Sequence, residues 1–168
     1  MNNIKKKSNI FNNNGFTLIE LLAVIVVLSI IMLISVYAIM PQVEKARKEA
    51  LKIEAEGLVK SAETYIMELN LNGESVQDGC YITLKQLQDN GETKIKNPDY
   101  SGFVLVHKAT APNSYEYTVS LQNKFYKIAG ATDVEKATVV EKDGSNLEPP
   151  AGTQLCSQEE TPGGTSRP

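Results

Sequence analysis

At 168 residues, 42% of them hydrophobic, the chain has material for about one small domain, because a single long apolar run inflates the apolar share. The formal net charge of −3 argues against broad electrostatic binding of DNA by the chain alone. One histidine and two cysteines far apart in sequence exclude a zinc site of ordinary spacing.

Residues 1–15 contain Lys5, Lys6 and Lys7 and no acid. The segment Gly15-Phe16-Thr17-Leu18-Ile19-Glu20 follows. From Leu21 to Met40 the only polar side chains are Ser29, Ser35 and the Tyr37 hydroxyl. At 1.5 Å per residue this run is about 30 Å long, the thickness of a hydrocarbon core. Lipid offers the backbone no partners, so a single span must be helical. The serine hydroxyls can bond back to the preceding turn. Glu20 is the oddity, since an unpaired acid in lipid costs about 2.5–3.5 kcal/mol on insertion scales. A chain that keeps it is expected to supply a partner.

The basic leader predicts a cytoplasmic N-terminus and an exported C-terminal bulk. Lys45, Arg47 and Lys48 beyond the run oppose this, but residues 42–168 hold no second span. A secretory signal would have a shorter apolar core and a small-x-small cleavage site, which Tyr37-Ala38-Ile39-Met40-Pro41 lacks. A lipoprotein signal would need a cysteine near residue 16. A plain signal anchor explains the length but neither Gly15-Phe16 nor Glu20.

Gly-Phe-Thr-Leu-Ile-Glu after a short basic leader, then a long apolar helix, resembles the class III signal of type IV prepilins and pseudopilins. The resemblance implies that Gly15 precedes the scissile bond and that Phe16 becomes the new N-terminus. A membrane-embedded prepilin peptidase would cut there and methylate the Phe16 amine. Glu20 matches the glutamate that in this family neutralises the N-terminal ammonium of a neighbouring subunit. Such a pair attracts strongly in low dielectric, although desolvation cancels much of the gain, so its main product is register. Pro41 lies about one turn later than the family's helix-kinking proline. It removes one donor and disfavours helix at Met40, so a bend or a melted turn is expected there.

Beyond Pro41, Val43, Ala46, Ala50, Ile53, Gly57, Leu58, Ala62, Tyr65, Ile66 and Leu69 recur at three- and four-residue steps. This predicts an amphipathic helix to about Leu69. Glu44–Lys48, Glu56–Lys60 and Lys52–Glu56 are spaced for i,i+4 pairs. Gly57 inside the helix is unfavourable by about 1 kcal/mol against Ala and either permits close packing or is simply tolerated. Turn residues at Asn70-Leu71-Asn72-Gly73 end the helix. Thr83-x-x-Gln86 resembles a capping box and predicts a short helix over about 83–90. Asn97-Pro98-Asp99 and Ser101-Gly102 read as turns. Strands are predicted at Phe103–His107, at Tyr115–Gln122 with one wet face, at Lys124–Ile128 after a turn at Gln122-Asn123, and at Thr138–Glu141. From Leu147 on, Pro, Gly, Ser, Thr and Glu dominate, and a mobile tail is expected.

The sum is an α+β chain: a long N-terminal helix on a small antiparallel sheet, the layout that the resemblance also implies. Its expected parts are a cleaved leader (1–15), a membrane and assembly helix (16–41), an amphipathic continuation (42–69), an exported globular domain (70–146) and a tail (147–168). Losing Lys5, Lys6 and Lys7 lowers the basic count from 17 to 14 against 20 acids, so the processed chain carries −6. Cys80 and Cys156 both fall in the exported part, where a disulfide is chemically allowed. Closing so long a loop would contribute on the order of 4 kcal/mol. The alternative is two free thiols.

No catalytic constellation stands out, and no cofactor is implied. His107 sits in a predicted strand and reads as structural, and Asp143-Gly144-Ser145-Asn146 reads as a turn rather than a calcium loop. The chain is therefore expected to be a structural subunit, not an enzyme. Its expected partners are prepilin peptidase, like or related pilin subunits, and a pilus assembly machinery. Before assembly it would be a single-pass protein of the cytoplasmic membrane, and afterwards part of a surface filament or pseudopilus. DNA uptake, adhesion, motility and secretion all remain open, with DNA binding only at the filament level. The rival class is a monomeric membrane-anchored binding module, against which Glu20 argues, since an anchor has no use for an acid in lipid.

Overall fold

The computed structural model describes residues 17–111 and 114–156. It contains helix α1 (Leu18–Leu71), strand β1 (Cys80–Thr83), helix α2 (Leu84–Asp89) and strands β2 (Ser101–Lys108), β3 (Tyr115–Gln122), β4 (Tyr126–Ala131) and β5 (Val140–Glu141). The chain divides between Val43 and Glu44 into two units.

In the N-terminal unit the described residues are exposed throughout. One 18-residue window of α1 reaches a mean hydropathy of 3.0. A helix apolar on every side, with nothing folded over it, is long and greasy enough to cross a bilayer. Ser29 and Ser35 donate back to the Ile25 and Ile31 carbonyls, each at 2.7 Å, which removes their polar cost. The melted turn expected at Pro41 is absent. Pro41 lies inside α1, and the residues on both sides are helical. The ring removes one hydrogen bond, which the complete turns before and after it tolerate.

In the C-terminal unit, α1 packs on a five-stranded antiparallel sheet. Its buried stripe is Leu51, Ala55, Leu58, Ala62, Tyr65, Ile66 and Leu69. The second half of the predicted face is thus correct and the first half is rotated. Ala46 and Ala50 are exposed, and Ile53 is 68% exposed. Two stripes satisfy the three- and four-residue spacing. The sheet takes the one carrying Leu51 and Leu58, which bury more apolar surface than Ala50 and Gly57. No atom lies within 4 Å of a Cβ built on Gly57, so this glycine does not serve close packing. Of the expected helix pairs only Glu44–Lys48 forms, at 2.6 Å. Lys52 donates instead to the Glu135 carbonyl at 2.6 Å.

The strands follow one another as an antiparallel meander in the order β1-β2-β3-β4-β5. Ser101-Gly102, predicted as a turn, begins β2, where Gly102 faces Leu121 of β3. A Cβ there would collide with the Ser120 carbonyl oxygen and stand 2.9 Å from the Leu121 Cα. Glycine at this position reports a close backbone approach, not a turn. The wet face predicted for β3 holds only in part, because Ser120 and Gln122 are buried. Ser120 Oγ accepts from the Gly130 N–H at 2.9 Å, beside a bulge between β3 and β4. Gln122 Nε2 donates to Ser101 Oγ at 2.9 Å and to Asn146 Oδ1 at 3.4 Å. The turn into β4 comes later than predicted. Asn123 Oδ1 accepts from the Phe125 and Tyr126 N–H groups, both at 2.8 Å, so Lys124 and Phe125 belong to the turn.

β1 is an additional strand, four residues long and too short for its pattern to announce it. It runs directly into α2, whose N-cap Thr83 accepts from the Gln86 N–H at 3.1 Å. The reciprocal half of the predicted capping box is missing. The Gln86 side chain donates instead to the Tyr65 hydroxyl at 3.1 Å and the Cys156 carbonyl at 3.4 Å. The segment expected to be a mobile tail is attached as far as Cys156. Tyr81 donates to the Gln154 carbonyl and accepts from the Cys156 N–H, both at 2.9 Å. Residues 157–168 lie outside the described residues.

Candidate functional site

The expected cleavage residues, Gly15 and Phe16, lie outside the described residues. The third expected site residue, Glu20, sits in the first turn of α1. Its Oε2 accepts from the Thr17 N–H and from the Thr17 hydroxyl, each at 2.8 Å. The same hydroxyl accepts from the Glu20 N–H at 3.4 Å. Thr17 and Glu20 thus form a capping box, in which a threonine and the glutamate three residues on satisfy each other's backbone donors. The arrangement also places a negative charge at the positive end of the helix dipole. Glu20 Oε1 takes no hydrogen bond from another described residue. The carboxylate is therefore fixed in direction by its own chain, with one oxygen left to receive a donor. Sequence reading singled out Glu20 and passed over Thr17. The Thr-x-x-Glu spacing before an apolar run was the available signal.

Cys80 and Cys156 form a disulfide with their Cα atoms 5.1 Å apart, closing a loop with a sequence separation of 76. Both are buried, at 1% and 4% exposure. The bridge fastens the end of the described chain to the first residue of β1 beside α2.

His107 lies in β2, half exposed, with Nδ1 3.6 Å from the Asp78 carboxylate. Asp78 also accepts from the Lys108 N–H at 2.8 Å. That bond holds the Asp78 carboxyl below its ordinary range against the opposing effect of burial, with His107 a lesser help. These contacts close the loop before β1 onto the end of β2, a structural task. Asp143 accepts from Lys127 Nζ at 2.7 Å and from the Ser145 hydroxyl and N–H. These bonds push its carboxyl well below the usual carboxylate range. Asp143 thus works as the cornerstone of a turn. Among the described residues no three His, Cys, Asp or Glu side chains gather as a metal site would require.

Residues 10–36 match the prokaryotic N-terminal methylation motif. This is the class III signal of type IV pilins and pseudopilins. The match spans the leader end, Gly15, Phe16, the Thr17–Glu20 capping box and most of the apolar run, as far as Val36. No curated protein and no solved structure matches the chain. The motif supports a membrane-anchored, pilin-like or pseudopilin-like precursor and points to a structural subunit.

Proposed function

We propose that the chain is a structural, non-catalytic subunit of a type IV pilus or pseudopilus. Prepilin peptidase cuts it between Gly15 and Phe16 and methylates the Phe16 amine. The processed subunit waits in the cytoplasmic membrane with its C-terminal unit exported, then polymerises through the apolar part of α1. The resulting fibre serves DNA uptake, adhesion or motility.

The observation that carries this reading is Glu20, held in a capping box within the matched motif and presenting one free carboxylate oxygen. After cleavage, the Phe16 amine of a neighbour is the cation that suits it. A subunit is accepted where its amine meets that acid, and the unpaired carboxylate no longer stands in lipid. Capping by Thr17 keeps the acid pointed while it waits.

The test is to shear cells that make the full chain and probe the released fraction, with a peptidase-deficient strain as control. Filaments containing the protein are expected only where Gly15–Phe16 is cut. Protein retained in the membrane of both strains would overturn the reading. Glu20→Ala should abolish filament yield while leaving cleavage intact, and unchanged yield would remove Glu20 from assembly.

A further inference from the structure

Two surfaces of the C-terminal unit are unlike the rest, and they complement one another. The first is the turn between β3 and β4. Phe125 projects there half exposed, at 51%. The Arg47 guanidinium lies 5.3 Å from the centre of its ring and the Lys124 ammonium 5.8 Å. Neither cation has a carboxylate partner among the described residues, whereas the neighbouring Lys48 and Lys127 are paired with Glu44 and Asp143. The turn thus offers an apolar ring with two positive charges outside any ion pair, with Asp99 on the wall of the same depression.

The second surface is a cleft of about 450 Å³ between α1 and β3, in the size range of ligand pockets. Tyr115 and Tyr117, two residues apart on one face of β3, form one wall, and Glu63 and Met67 of α1 form the other. Tyr115 is fixed by donating its hydroxyl to Asn70 Oδ1 at 3.1 Å. Burial, then the Glu63 charge, push Tyr117 up to about 12, so its ring remains neutral at ordinary pH. Glu63 forms no ion pair with a described residue. Met67 and Leu71 at the rim are 64% and 82% exposed. Two aromatic faces, a carboxylate and an apolar rim make a receptor for a cation carried on an apolar group.

We propose that the Phe125 turn of one copy, with Arg47 and Lys124, seats in the Tyr115–Tyr117–Glu63 cleft of the next copy. The occupant follows from charge and shape. Each surface has an exposed apolar element that the other covers, and their charges are opposite. The two sit towards opposite ends of the α1 segment of this unit, since Arg47 and Met67 are about 30 Å apart along the helix. Contact between different patches of identical chains is heterologous. Where its rotation does not close into a ring, it propagates as an open helical array, which is the case the filament reading requires. This inference rests on the filament reading and adds a second contact to it, in which the globular units themselves are joined. Arg and aromatic side chains are the groups that most often carry interface energy.

The test uses filaments sheared from cells making the full chain, treated with a zero-length carbodiimide that joins amines to carboxylates in contact. A cross-linked dimer is expected, with Lys124 joined to Glu63 in its peptide map. Glu63→Lys alone, or Lys124→Glu alone, leaves two like charges and no amine–carboxylate pair at this contact, so that link should be lost. The two changes together should restore it, because the swapped pair has the same geometry and the same reactivity. Abundant filaments with no Lys124–Glu63 link would overturn this contact and leave polymerisation standing. So would a double variant as defective as either single one. A parent strain that makes no filaments would overturn both readings together.

Discussion

Gly57 and Gly102 show opposite uses of a missing Cβ. Gly57 is in the helix interior with open space where a side chain would stand, so it only costs helix stability. Gly57→Ala should therefore stabilise the C-terminal unit by about 1 kcal/mol. Gly102 lies where β2 meets the backbone of β3, and a methyl would strike the Ser120 carbonyl and the Leu121 Cα. Both are backbone atoms that cannot rotate aside, so Gly102→Ala should destabilise by about 1–3 kcal/mol. Urea unfolding of the detergent-solubilised chain measures both, and equal effects would refute the distinction. The same contrast shows how residues hide their roles from sequence. A helical glycine and a strand glycine look alike as letters, and only the neighbouring strand reveals which one is crowded. Thr17 was hidden differently: its spacing from Glu20 was readable, but a helix cap draws little notice beside an acid in an apolar run.

At the scale of elements, the pieces with strong periodicity were legible and the pieces defined by partners were not. The long helix, β2 and β3 announced themselves through apolar spacing. The first half of the helix face was misplaced because two stripes fit the same spacing, and the sheet chose between them. β1 exists because β2 and residues 154–156 flank it, and nothing within its four residues demands a strand. The disulfide makes this region one structure by fastening the segment before residue 157 to β1. Cys80→Ser or Cys156→Ser should cost on the order of 4 kcal/mol, with loss of protection of the Tyr81 amide in hydrogen exchange. Acid should loosen two further ties. Asp78 and Asp143 have folded pKa values lowered by their hydrogen bonds. Their contribution is therefore present above the ordinary aspartate value of 3.8 and is lost as pH falls through the folded values. The melting temperature should fall on acidification below about pH 4. Asp78→Asn with Asp143→Asn should flatten that limb, and an unchanged profile would assign the acid sensitivity elsewhere.

On the scale of the whole molecule, the two units answer to different solvents. Every buried core side chain lies at Leu51 or beyond, in the unit that begins at Glu44. The described residues before it are exposed and almost wholly apolar, a surface that water does not tolerate at this length. It follows that the C-terminal unit contains its own core, drawn from one face of α1, α2, strands β1 to β4 and a disulfide, and needs nothing from the apolar helix to fold. A chain starting at Glu44, produced in an oxidising compartment, should be soluble and should melt cooperatively with the Cys80–Cys156 bridge formed. Gel filtration, calorimetry and thiol titration check each part. The full chain should require detergent, lipid or a fibre to stay dispersed. If the shortened chain were molten or aggregated, the apolar helix would have a folding role as well as a membrane one. If it behaves as expected, the division of labour is clean. One unit supplies an apolar surface suited to a membrane, and the other is a separately stable body joined to it.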